Sequence, residues 1–272
     1  MGVRVRHAVR EDIDVMAEVF AKAFRVGMSE AREVFEVSMD VQPDGCFVAV
    51  TDTNSIAGTG CFFIYGPLAW IGNVAVLPQL QRRGIGTSLM KELLREMGCR
   101  GVRTVRLDAS RYGHGLYLKL GFIDEYRTVT YRITAPPTSG SGDALQVTGE
   151  VPEWVFRIDA EAFGADRSMA LKALLRRGAA LITLGRRGYA IVRGEDVGPV
   201  VAEGRDAAEA LIAKAYELGA RKLIVIERNP EAVGMAKELR WVPEDVCVRM
   251  RLGPPCREKV NLIYAALSYA KG

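Results

Sequence analysis

Arg82 and Arg83 stand immediately before Gly84-Ile85-Gly86, where an apolar strand-like run from Asn73 gives way to the helical run Thr87–Met97. Those residue types at that junction suit phosphate binding. Glycine lets the backbone approach a ligand closely, and the first amides of a helix point N–H groups that have no acceptor within the helix. The helix dipole adds partial positive charge at the same place. Two guanidinium groups add formal charge and planar donors, so a pyrophosphate would meet both direction and field. A second run, Leu116-Tyr117-Leu118-Lys119-Leu120-Gly121-Phe122, puts a tyrosine on a short helix that closes on a glycine. A tyrosine with pKa of about 10 is protonated at neutral pH and can donate that proton.

The run Pro78-x-x-Gln81-Arg82-Arg83-Gly84-Ile85-Gly86 resembles the acetyl-CoA pyrophosphate loop of the GNAT superfamily of N-acetyltransferases. Leu116–Phe122 resembles the second hallmark of that superfamily, in the matching order and spacing. The resemblance implies that Gln81, Arg82, Arg83, Gly84, Ile85, Gly86 and Thr87 hold acetyl-CoA. It further implies that backbone amides at Val74, Ala75 and Val76 polarise the thioester carbonyl beside the pantetheine arm, and that Tyr117 protonates the departing thiolate. One departure stands out: an asparagine often found seven residues before the tyrosine is Ser110 here, which leaves a contact to the cofactor arm in doubt.

Acetyl transfer to an amine also needs the amine unprotonated. No carboxylate lies in Trp70-Ile71-Gly72-Asn73, where many relatives carry one. His114, near Tyr117 in sequence, is a candidate base by residue type or else a surface or satisfied helix histidine. Asp108 ends a predicted strand, as an active residue or a helix cap; a water chain with no single base is a further reading. Asp124 and Glu125 read as solvated, Cys61 as a buried small hydrophobe, and Arg111 and Tyr112 as either an acceptor wall or solvent-facing residues.

The elements that must position these residues follow from periodicity. Residues 3–8 alternate as an edge strand, and Ile13, Met16, Val19, Phe20 and Phe24 share a helical face. Ser29–Met39 reads as a second helix. Cys46–Val50, Gly60–Tyr65 and Ala69–Val76 read as a three-stranded antiparallel meander that feeds the arginine loop. Thr87–Met97 is a helix closed by Gly98, Val102–Leu107 a strand parallel to the loop strand, and Tyr126–Ile133 a closing strand. The fold class expected is mixed α/β (α+β), a mostly antiparallel central sheet flanked by helices, present twice.

The 272 residues suit two domains, and Ala135–Asp143 is the clearest linker. The expected organisation is a catalytic domain at 1–134, a linker at 135–144 and a second domain at 145–272. Gly115–Phe122 can be laid over Gly234–Trp241, and Glu96-Met97-Gly98 over Glu217-Leu218-Gly219. In that overlay Tyr117 becomes Ala236 and the arginine loop becomes Val200–Asp206, shorter and more acidic, which should not hold a pyrophosphate. The second half thus resembles a degenerate copy, as in tandem GNAT proteins, with Val260–Ala270 expected as a last helix.

Composition bounds the rest. Hydrophobic residues make up 49% and charged residues 26%, enough to bury cores. The net charge of +4 is too small and dispersed to imply nucleic acid. No apolar run approaches the roughly 20 residues of a membrane span, and the N-terminus lacks an apolar signal region, so a cytoplasmic protein is expected. Five scattered cysteines argue against zinc and a disulfide framework, and two histidines are too few for a metal site unless carboxylates supply most ligands, so no metal is expected. The expectation is an N-acetyltransferase with an amine acceptor; an acyl-CoA sensor and an interaction scaffold are the rivals. The second domain could complete the acceptor pocket, cover an edge or mediate a homodimer.

Overall fold

The alternating apolar residues of the first 109 positions form β1 (Val3–His7), β2 (Cys46–Thr51), β3 (Ile56–Tyr65), β4 (Leu68–Val76) and β5 (Thr104–Ala109). The computed structural model describes residues 2–138, 145–148 and 150–272. Two compact units divide between Leu107 and Asp108, Lys271 belonging to the first and Gly272 to the second. Of the linker expected at 135–144, residues 139–144 lie outside the described residues.

In the first unit the sheet runs β1-β2-β3-β4-β5. The first three neighbour pairs are antiparallel and β4–β5 is parallel, as a crossover helix requires. α1 (Ile13–Phe24), α2 (Met28–Val41) and α3 (Ile85–Cys99) supply the apolar faces that cover it. Ile13, Met16, Val19, Phe35, Leu89, Met90 and Leu93 are buried, as is Trp70 on β4. Phe24 is half exposed at the end of its helix, stacked on Phe20 rather than packed inward. α3 runs through Gly98 to Cys99, and the left-handed turn after it falls at Gly101.

In the second unit α4 (His114–Lys119) precedes β6 (Ile123–Arg132). Both edges of β6 are taken by strands from the second half of the chain, β11 (Lys222–Ile226) on one and β12 (Val242–Leu252) on the other. A strand has two rows of backbone groups to satisfy, and β12 is long enough to take one row from Ile123 to Arg132. From β11 the sheet continues through β10 (Asp196–Ala202), β9 (Gly188–Arg193) and β8 (Ala180–Leu184) to β7 (Leu145–Thr148). α5 (Glu153–Phe163), α6 (Ser168–Arg176), α7 (Arg205–Glu217) and α8 (Pro230–Glu238) complete the unit. The order β10, α7, β11, α8, β12 repeats β4, α3, β5, α4, β6, as the overlay of the two halves requires.

The expected last helix at Val260–Ala270 is not formed. A single helical turn at Val260–Leu262 leads into β13 (Ile263–Ala265), which pairs antiparallel with β10. The backbone of this apolar segment instead pairs on the edge of β10, at Val200–Ala265 and Val201–Ile263. No helix is long and apolar enough to cross a membrane among the described residues.

A cluster of fully buried charges sits in the second unit. Arg167 is 1% exposed and holds Asp159 in a two-pronged pair at 2.8 and 2.9 Å, while Tyr189 Oη donates to the same carboxylate. Burial, then the Asp159 charge, pushes the Tyr189 hydroxyl well above its ordinary pKa, so it remains a donor. Removing one partner would strand the other charge in the core. Arg167→Met is therefore expected to lower the unfolding free energy by about 3–5 kcal/mol, measured as a fall in the guanidinium midpoint; an unchanged midpoint would contradict the assignment.

Candidate active site

β4 carries one residue more than β3 opposite it. Cys61 pairs with Gly72 and Thr59 with Ala75, so Asn73 and Val74 together oppose Gly60 in a β-bulge. Asn73 takes a left-handed conformation, φ 56°, which among non-glycine residues asparagine tolerates best. Two buried hydroxyls hold it there: Thr59 Oγ1 donates to Asn73 O at 3.0 Å, and Asn73 Nδ2 donates to Ser38 Oγ of α2 at 3.0 Å. Ser38 Oγ in turn donates to Val34 O at 2.6 Å, so the chain of donors is complete.

The bulge falls where β4 leaves β5. Their parallel pairing runs from Leu68–Thr104 to Ile71–Leu107, and no further pair follows among the described residues. Val74, Ala75 and Val76 thus sit on a strand edge beyond the last β5 partner. Beyond Val76 the chain makes a short turn, Pro78–Leu80, pinned by Leu77 N–H to Ala57 O and by Gln81 Nε2 to Val76 O.

Two left-handed residues then bracket Arg83: Arg82 at φ 63° and Gly84 at φ 84°. A side chain at Gly84 would meet open space, so glycine is needed there for its backbone conformation, not for room. Ser88 N–H to Gly84 O is the first hydrogen bond of α3. The amides before it, through Ile85, Gly86 and Thr87, have no acceptor within the helix. Gln81, Arg82, Arg83 and Gly84 are exposed while Ile85 anchors the turn in the core. These residues fit a pyrophosphate: free amides, two exposed guanidiniums and space at Gly84.

Tyr117 lies in the second unit, on α4, 8% exposed and with its ring packed 6.0 Å from that of Phe122. A Cβ on Gly113 would fall 2.8 Å from the Tyr117 ring and 3.2 Å from its hydroxyl, so a glycine at the helix start leaves the ring its place. Burial, and secondarily the neighbouring Cys247, pushes the Tyr117 hydroxyl up to about 12. It is protonated throughout the neutral range.

The candidate bases are engaged. Asp108 does not cap a helix: its fully buried carboxylate accepts from Arg249 Nη2 at 2.9 Å, Arg249 Nε at 3.2 Å and Thr128 Oγ1 at 2.9 Å. Arg249 in turn donates to Tyr126 Oη, which donates to Glu258 at 3.1 Å. His114 Nε2 lies 2.8 Å from Asp124 at the surface. Glu125 is largely buried against Arg251 at 3.0 Å and is not solvated. Arg111 stacks on the exposed ring of Tyr112. Neither Asn73 nor the Asp108–Arg249 pair, 141 positions apart, gives a local signal in the sequence.

The matching strand of the second half carries the same bulge with a different outcome. Val197 pairs with Val192 and Val200 with Ala190, one extra residue on β10. Among the described residues, β10 and β11 pair in parallel only at Asp196–Lys222. The space that opens beyond is taken by the chain itself: β13 pairs with β10, and Ala266 N–H donates to Ile224 O of β11 at 2.8 Å. Gly198 permits this, since a Cβ there would fall 2.2 Å from Ala266 O. At the start of α7, Arg205 is tied to Glu209 and Glu238, and Asp206 to Arg187.

Residues 13–122 match the family model described as acetyltransferase (GNAT) family, and residues 155–265 match one described as acetyltransferase (GNAT) domain. A Pyrococcus horikoshii protein whose crystal structure names it an acetyltransferase only provisionally is 41% identical, with 100% of this chain and 96% of that one covered and a TM-score of 0.95. GCN5-related N-acetyltransferases from Anabaena variabilis (14% identity, 92% and 72% covered, TM-score 0.64) and Sphaerobacter thermophilus (13%, 95% and 98%, 0.61) share the fold. No curated protein matches the chain. With both halves matched and one relative alike from end to end, the chain belongs to the GNAT family of acetyltransferases, as a tandem of two GNAT domains.

Proposed function

We propose that the chain is an acetyl-CoA-dependent N-acetyltransferase that passes acetyl to a primary amine directly, within a ternary complex. The observation that carries this reading is the open edge of β4 beyond Ile71, running straight into the arginine loop and the free amides of α3. Acetyl-CoA, when bound, supplies the acetyl group as a thioester. Gln81, Arg82, Arg83, Gly84, Ile85, Gly86 and Thr87 hold its pyrophosphate. Amides at Val74, Ala75 and Val76 point donors at the carbonyl oxygen, where charge develops. Asn73 fixes the angle at which those amides leave the sheet. Tyr117 Oη holds the proton that the leaving sulfur takes.

In this reading residues 1–134 form the catalytic domain, 135–144 the linker and 145–272 a domain that binds no cofactor. A water chain removes the amine proton, because Asp108 and His114 are both engaged. An acyl-CoA sensor would bind equally well and is separated from the enzyme by turnover.

Calorimetric titration with acetyl-CoA is expected to show one site per chain, lost in Gly84→Glu; two sites would contradict the assignment of the second half. Across a panel of primary amines, Tyr117→Phe should lower kcat by about 10²–10⁴-fold with acetyl-CoA affinity unchanged. Full turnover in that variant would remove Tyr117 as the acid. Asn73→Gly keeps the left-handed backbone and loses the Ser38 tether, a hydrogen bond of about 1 kcal/mol. Its kcat should fall several-fold with little change in KM, and Asn73→Ala should fall further. Because the Tyr117 pKa is raised from about 10 to about 12, its contribution to stability is complete below pH 10 and is lost as pH rises through 12. Thermal melts in that window should show a smaller alkaline loss for Tyr117→Phe.

A further inference from the structure

We propose that Cys46 and Cys61 are a cross-strand disulfide site, closed by a peroxide. The inference is independent of the proposed transfer reaction. The two cysteines, 15 positions apart, face each other across the consecutive strands β2 and β3. Their sulfur atoms lie 3.1 Å apart, and both residues are fully buried. The thiols are free in the structure.

The backbone geometry favours closure. Phe62 N–H donates to Gly45 O at 2.8 Å, so the hydrogen bond flanks the cysteine pair and is not shared between its members. Residues in such a pair have Cα atoms about 4.5 Å apart, the closest approach in an antiparallel sheet. That separation lies within the roughly 4.4–6.8 Å that disulfides span. The adjoining position reports the same tight approach: a Cβ on Gly45 would fall 2.3 Å from Phe62 O. β2 and β3 are thus pressed together at this point, with no side chain between the sulfurs.

The chemistry balances with one peroxide. A Cys thiolate attacks the O–O bond and becomes a sulfenic acid, and the departing hydroxide takes the thiol proton as water. The partner sulfur then displaces the sulfenic oxygen, which leaves as a second water, and the S–S bond forms. Two thiols are oxidised by two electrons in all, and one peroxide is reduced to two waters. The Cys61 contact, then burial, holds the Cys46 thiol well above its ordinary pKa. Attack therefore waits on transient parting of β2 and β3, and closure is slow.

The bridge would tie β3 to β2 one residue from the bulge, since Cys61 pairs with Gly72 and Thr59 holds Asn73. The test uses the full chain under native conditions. Hydrogen peroxide is added, remaining thiols are blocked with a maleimide in denaturant, and peptides are mapped by mass. The expected product is a Cys46–Cys61 linked peptide that disappears on reduction, with both cysteines labelled in the untreated control. A Cys61→Ala variant should give no linked peptide and leave Cys46 labelled. Full labelling of Cys46 and Cys61 after peroxide, or linkage of either one to Cys99, Cys247 or Cys256, would overturn the proposal.

Discussion

Two parallel strands that separate after a few paired residues leave backbone donors and acceptors that must find partners. A buried amide without one costs free energy comparable to a lost hydrogen bond. Both halves of this chain contain such a parting: β4 leaves β5 after Ile71, and β10 leaves β11 after Asp196. Both add a one-residue bulge to the departing strand. In the second half the need is met internally, by β13 on β10 and Ala266 on Ile224. In the first half the edge beyond β5 carries no such insert among the described residues. The same device is thus a sealed joint in one half and a ligand groove, in the proposed reading, in the other.

Holding the parting open requires anchors on every side of the bulge. Asn73 accepts a backbone conformation that costs most residues energy, and Thr59 and Ser38 fix its two ends on neighbouring elements. Ser38 lies on α2, so the groove strand and a helix of the sheet's cover are joined through one side chain. The loop that follows is held by Leu77 and Gln81 before the arginines, which keeps Arg82 and Arg83 exposed while Ile85 is buried. On α4 the equivalent constraint is steric: Gly113 and Phe122 frame the Tyr117 ring, and burial keeps its proton on.

The arginine loop, the Tyr117 helix and the antiparallel meander were legible because each is written in consecutive residues, as glycine spacing or as period-2 alternation. The repeat of the two halves was legible for the same reason. Pairings that join distant segments were not. Cys46 and Cys61 looked unrelated in sequence and meet only through the register of β2 with β3. Asp108 had the local look of a cap, yet its partner is Arg249 on β12. Val260–Ala270 is apolar enough for a helix, and the competing edge of β10 decides against it. β6 alternates like any closing strand, but nothing in its own residues says that β11 and β12 will flank it.

A groove on the parted strand of the first half and a filled one in the second half should respond differently to the cofactor. Amide hydrogen exchange, followed by mass spectrometry with and without acetyl-CoA, reads both places at once. Slowed exchange is expected only in the peptides covering Val74–Val76 and Arg83–Thr87, with no change across Val200–Asp206 or Ile263–Ala266. Protection at Val200–Asp206, or none at either place under saturating acetyl-CoA, would contradict this expectation.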